Sequence, residues 1–159
     1  MLAQEAYGLL RLPSPTIERS PDATNSDRGT SYTWVNLWTW FWTDPATFTP
    51  KAKTVNAGAV SATATATPTA LVFDPGNGDA PVSCPGLGRP WSAADGNAAP
   101  ANGGCGYVYR RISTAVAATV SIHWTVTWTG STGETGRLPE LTTSASSTFA
   151  VEQVQVVNR

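Results

Sequence analysis

From Val116 to Thr129 the chain alternates without interruption. Val116, Ala118, Val120, Ile122, Trp124, Val126 and Trp128 share one parity, and Thr119, Ser121, His123, Thr125, Thr127 and Thr129 hold the other. A helix would wrap these apolar positions around its whole circumference. An extended strand puts them all on one face. The run therefore predicts a long β-strand with one face in the core and the other against water or a polar layer.

The rest of the chain repeats that signal in shorter pieces. Val60, Ala62, Ala64 and Ala66 alternate with Ser61, Thr63, Thr65 and Thr67, which predicts a half-buried strand. A mucin-like glycosylated tract is the rival reading of the same Thr, Ser and Pro68. Thr69–Phe73 reads as a further short strand before the turn-rich Asp74-Pro-Gly-Asn-Gly-Asp79, Gly106–Arg111 as another, and residues 141–157 as a last strand broken by a bulge. In Ser31–Asp44, six aromatic residues (Tyr32, Trp34, Trp38, Trp40, Phe41 and Trp42) fall in one stretch. Read as a single strand, it places Trp34, Asn36, Trp38, Trp40 and Trp42 on one face. Residues 1–31 read as a peripheral arm: a short, weak helix is stopped by Pro13 and Pro15, and residues 16–31 are loop. The expectation is an all-β, immunoglobulin-like β-sandwich of about seven strands over residues 32–159, preceded by an extended N-terminal arm.

Composition narrows the function. The chain has 159 residues, a length suited to one domain, and only 13% of them are charged, with a net charge of −1. That balance lacks the basic footprint a nucleic-acid partner requires. No apolar run is long enough to insert in a membrane as a helix. Cys84 and Cys105 are the only cysteines, and the segment between them is rich in Gly, Pro, Ala and Asn. Such a segment cannot shape itself by packing, so a disulfide is expected to clip it, the alternative being two reduced thiols. A disulfide points to a secreted or cell-surface setting. Residues 1–12 carry no uninterrupted apolar core, so no signal peptide is expected in this chain.

Leu71-Val-Phe-Asp74-Pro-Gly-Asn-Gly78, then Cys105-Gly-Tyr-Val-Tyr109 and the alternating strand to Trp128, resemble the polycystic-kidney-disease (PKD) type of immunoglobulin-like domain. More narrowly, residues 34–155 resemble secreted actinobacterial PKD-like proteins with a Trp-rich opening strand, an Ala-Thr repeat, two cysteines and a Trp-Thr-Val-Thr-Trp strand. The chain departs from the usual Gly-Asp-Gly turn, having Gly76-Asn77-Gly78 with Asp79 displaced by one. The resemblance implies a PKD-like sandwich serving as a spacer, adhesion or surface-recognition module rather than a catalyst.

Few residues invite chemistry. His123 stands mid-strand among threonines, without a nucleophile or acid beside it in sequence, and reads as structural. Asp74, Gly76, Asn77 and Gly78 read as an Asx-type turn, with calcium binding by Asp74, Asn77 and Asp79 as the alternative. Lys51 and Lys53 would be the candidates for the Lys–Asn isopeptide bond that some surface immunoglobulin-like domains form. The candidate contact surface is Trp34, Trp38, Trp40, Trp42 and Trp91, either filling a core poor in Leu and Ile or stacking on sugar rings. No cofactor or metal is expected. The expected function is non-enzymatic: a surface module acting through contact with other protein subunits or its own copies, the apolar arm docking on a neighbour. The alternative is a cell-wall glycan-binding module that uses exposed tryptophans.

Overall fold

The computed structural model describes residues 1–21 and 31–153. Residues 22–30 of the expected arm and residues 154–157 of the expected last strand, with the bulge placed there, lie outside the described residues. The elements are helix α1 (Leu2–Leu9) and strands β1 (Glu18–Ser20), β2 (Tyr32–Trp34), β3 (Trp38–Trp42), β4 (Lys51–Ala57), β5 (Val60–Asp74), β6 (Val82–Cys84), β7 (Gly106–Val108), β8 (Ser113–Gly130) and β9 (Thr135–Glu152). The fold is all-β and sandwich-like, as expected, but with nine strands among the described residues rather than about seven.

A large sheet runs β2-β9-β8-β5-β4, with β6 also beside β5, and a small sheet runs β1-β3-β7. The long strands β5, β8 and β9 pair antiparallel. Their inward parity supplies the core: Ala62, Ala64 and Ala66 on β5, and Val116, Ala118, Val120, Ile122, Trp124 and Val126 on β8, all buried. Trp128, of the same parity, is only half-buried at the sheet's end.

Two expected strands, Val60–Thr67 and Thr69–Phe73, are one strand with an irregularity. The register with β8 shifts between Pro68 and Ala70. Proline has no N–H for the ladder, so a bulge is where a strand interior tolerates it. The extra residue also switches parity. Before it the even positions 62, 64 and 66 are buried, and after it the odd positions Leu71 and Phe73 are. The bulge thus keeps one continuous inward face.

The small sheet packs across one end of that face. Phe41 of β3 stacks on Phe73 of β5 with ring centroids 4.4 Å apart. Tyr109 lies edge-on to Phe149 at 5.8 Å, and its hydroxyl donates to the Pro75 carbonyl at 2.8 Å. Burial pushes the Tyr109 phenol well above its usual range, which keeps it a donor. The Arg19 guanidinium sits 4.1 Å over the Phe149 ring. Toward the other end, α1 covers β4 and β5, adding Ala6 and Leu10 to the cluster that holds Ala64 and Ala66. Ala3, Ala6 and Leu10 of the expected arm are thus packed within the same chain while Leu9 stays exposed, and Glu18–Ser20, expected as loop, is a strand of the small sheet.

The opposite face of the large sheet is a field of hydroxyls, some bonded across strands: Thr54 to Thr63 at 2.7 Å, Ser121 to Ser144 at 2.8 Å and Thr119 to Ser146 at 3.1 Å. His123 belongs to this face, between Ala70 and Thr142. The contrast between faces gives a direct test. Ile122→Ala, at a fully buried site, lowers unfolding free energy by about 2–5 kcal/mol. Thr127→Ala on the outer face changes it by about 0.5 kcal/mol or less. Urea unfolding of the two variants measures both, and equal effects would refute this assignment of faces.

Candidate functional site: a tryptophan-lined groove

The Trp-rich segment is not the single strand that its sequence suggests. Asn36 takes a left-handed conformation, φ 62°, and breaks it into β2 and β3. Asparagine tolerates that region better than most residues. The break is pinned from both sides: the Asn36 N–H donates to the Tyr109 carbonyl at 2.7 Å and the Val35 N–H to the Glu152 carbonyl at 2.8 Å. The chain thereby crosses from the large sheet, where β2 lies parallel to the end of β9, into the small one. A buried hydroxyl pair, Thr33 to Thr39 at 2.6 Å, bridges the two short strands.

Alternation within β3 then divides its side chains. Phe41 turns inward to Phe73, while Trp38, Trp40 and Trp42 turn to the outer side of the small sheet. There they meet the segment between the cysteines. Cys84, ending β6, and Cys105, just before β7, form the expected disulfide. Gly88 allows the segment to lie against β3: at φ 81°, a Cβ on it would stand 2.7 Å from the Phe41 carbonyl oxygen. Gly104 is under the same constraint, since a Cβ there would stand 2.7 Å from the Trp40 ring.

Arg89 organises the segment internally. Its guanidinium lies 4.8 Å from the centre of the Trp40 ring, donates to the Ala101 carbonyl at 3.0 Å and forms a two-pronged pair with Asp95 at 3.1 Å per bond. Asp95 also accepts the Ser92 N–H at 2.9 Å in a capping box over the turn Ala93–Asp95. The bond from Arg89, helped by that of Ser92, holds the Asp95 carboxyl down at about 2. The Trp91 indole donates to the Gly96 carbonyl at 2.9 Å, which fixes the ring.

The result is a cavity of about 530 Å³ lined by Trp34, Trp38, Trp40, Trp42 and Trp91. All five tryptophans of the expected contact surface therefore converge on one place, from three different elements. Trp40 forms its buried floor, and its indole Nε1–H has no partner among the described residues. Trp38 and Trp91 are the most exposed, each a little over a third. Sequence reasoning missed the rest of the lining, including Glu18 and Ser20 of β1, Pro21 just after it and Asn97 in the clipped segment. The polar stretch around Glu18 gives no signal for it. Ser92 three residues before Asp95 is the sequence sign that could have placed order in the segment.

The other expected site residues lie elsewhere. Asp74 Oδ1 accepts the Gly76 N–H and Asn77 Oδ1 the Asp79 N–H, each at 3.0 Å, giving two Asx turns. Gly76, at φ 77°, passes so close to Ala117 that a side chain would collide with its carbonyl. Tyr107 bonds both Asn77 and Asp79, so the motif anchors β7 to the end of β5 rather than facing the groove. Among the described residues no three His, Cys, Asp or Glu side chains gather as metal ligands would. Nor, among the described residues, is any helix long and apolar enough to cross a membrane.

Comparison of the chain with protein-family models, with curated proteins and with solved structures finds no match.

The Arg89–Asp95 pair makes a prediction with a defined sign. Asp95 titrates at about 2 in the folded chain against an ordinary 3.8, so its bonds support the segment fully above that ordinary value and are lost as pH falls through about 2. Arg89→Gln removes the main cause. Carboxyl NMR of Asp95 is expected to show its midpoint rising toward the ordinary value in the variant, and an unmoved midpoint would disprove the pairing.

Proposed function

We propose that the protein is a non-enzymatic recognition module that holds a neutral saccharide in the tryptophan groove, working outside the cytoplasm. One observation carries the reading: five indoles brought from β2, β3 and the clipped segment line a single cavity of about 530 Å³, within the usual ligand-site range of ~300–1,000 Å³. Broad aromatic faces suit pyranose rings, whose C–H faces are apolar and whose rims hydrogen-bond.

The polar groups fit the same ligand. Arg19 lines the cavity but is buried, and it spends its donors on the Pro21 and Tyr32 carbonyls and on Ser31. Glu18, Ser20 and Asn97 remain as hydrogen-bonding groups at the rim. This lining offers little to a highly charged partner. The disulfide supports an oxidising compartment, and the sandwich of two sheets supports, at the level of architecture, the PKD-like reading of the sequence. The broader reading, a surface module acting by protein contact or self-assembly, draws on the same exposed Trp38 and Trp91.

Calorimetric titration with cellohexaose, xylohexaose and the N-acetylglucosamine hexamer tests the proposal. At least one is expected to bind, and Trp38→Ala and Trp91→Ala each weaken it tenfold or more, a change of about 1.4 kcal/mol, without shifting the urea midpoint appreciably. Binding by none of them, with light scattering showing a multimer that Trp38→Ala dissociates, would favour protein contact instead.

A further inference from the structure

We propose that the Cys84–Cys105 disulfide gates the groove, so that the oxidised protein holds its ligand and a dithiol reductant releases it while the sandwich stays folded. This inference rests on the groove being the binding site.

Of the residues from 84 to 105, only the two cysteines at the ends are buried, and none of the twenty between them is. The segment has no share in the core that joins the sheets. Its ties to the strands are the disulfide, one backbone bond from the Thr43 N–H to the Leu87 carbonyl at 3.0 Å, the contact of Arg89 with Trp40, and the close approaches of Gly88 to β3, Gly104 to Trp40 and Pro100 to Gly106. The Arg89–Asp95 pair and the Trp91–Gly96 bond act only within the segment. The Arg89–Asp95 pair is partly exposed, and a pair of that kind is individually weak.

This lightly held segment supplies one wall of the groove, through Trp91, Gly96 and Asn97. The opposite wall, with Trp34, Trp38 and Trp42, belongs to β2 and β3 and does not depend on the cross-link. Neither do the contacts that fasten sheet to sheet, the Phe41–Phe73 stack and the Tyr109 bond to Pro75. Opening the disulfide therefore frees one wall selectively. The remaining half-groove can stack a sugar on one side only.

The step balances as ordinary exchange. A thiolate of the dithiol attacks one protein sulfur, forming a mixed disulfide and expelling the other cysteine as a thiolate, which takes up a proton. The second thiol of the reductant then displaces the first cysteine and closes its own disulfide. Two electrons and two protons pass to the protein. Cys84, 8% exposed against 2% for Cys105, is the more open of the two sulfur-bearing residues.

The test compares oxidised protein, dithiothreitol-reduced protein and the Cys84→Ser/Cys105→Ser variant with the three hexasaccharides named above. Reduced protein and variant are expected to bind at least tenfold more weakly, with unchanged far-UV circular dichroism, and reoxidation restores the affinity of the wild type. Hydrogen exchange is expected to accelerate over residues 85–104 and not in β5 or β8. Equal affinity before and after reduction overturns the gate, and so does loss of the whole sandwich, which would make the disulfide a general staple. If oxidised protein binds none of the sugars, the saccharide reading falls by itself. Exchange still decides the gate: acceleration confined to 85–104 supports release of the wall, and unchanged exchange there overturns it.

Discussion

The stack of Phe41 on Phe73 is the contact through which the small sheet acquires a position. The small sheet consists of strands of only 3, 5 and 3 residues, and its inward face is buried against the large sheet. Laid against the aromatic end of the large sheet, it gains Phe73 and Phe149 as a floor, with Tyr107 of its own β7 and the adjoining Tyr109 packed onto them. Because β3 alternates, seating Phe41 inward obliges Trp38, Trp40 and Trp42 to face outward. The groove is in this sense the reverse side of the core contact.

The two ends of the large sheet are covered by different means. At the aromatic end, large rings fill the space between two sheets. Under α1 the inward residues of β5 are Ala62, Ala64 and Ala66, and the helix answers with Ala3 and Ala6. Small side chains on both partners permit close approach of helix and sheet, which gains dispersion contacts where bulk is lacking. Trp124, buried between these regions, gives the volume that alanine withholds, and its indole N–H is satisfied by Thr143 at 2.9 Å.

Frame and loop are held by different means. The strands carry most of the groove's aromatic surface, and their positions follow from ladders and core burial. The segment from 85 to 104 has neither, and its order comes from one covalent link, one ion pair and a few backbone bonds. Binding surfaces commonly combine a rigid scaffold with such a loop, because a segment without a core can be shaped by a small number of polar contacts.

Much of the frame was legible in the chain. Strict period two over 116–129 and 60–67 determined strands there and their buried faces, because side chains in a strand have no other way to segregate, while the continuation of the second through Pro68 was left to the tertiary structure. The disulfide followed from a cysteine pair enclosing a segment that could not pack, and the Asx turn from Asp74 and Asn77 beside glycines. The sequence also singled out the five tryptophans. It could not join them, since local alternation describes one strand and says nothing of where a chain leaves one sheet for another. Only the tertiary structure decided the break at Asn36, made by hydrogen bonds to Tyr109 and Glu152, both more than 70 positions away. It alone set Trp91 opposite Trp38 and brought Glu18 and Asn97 to the rim, because a groove between elements is a property of their packing.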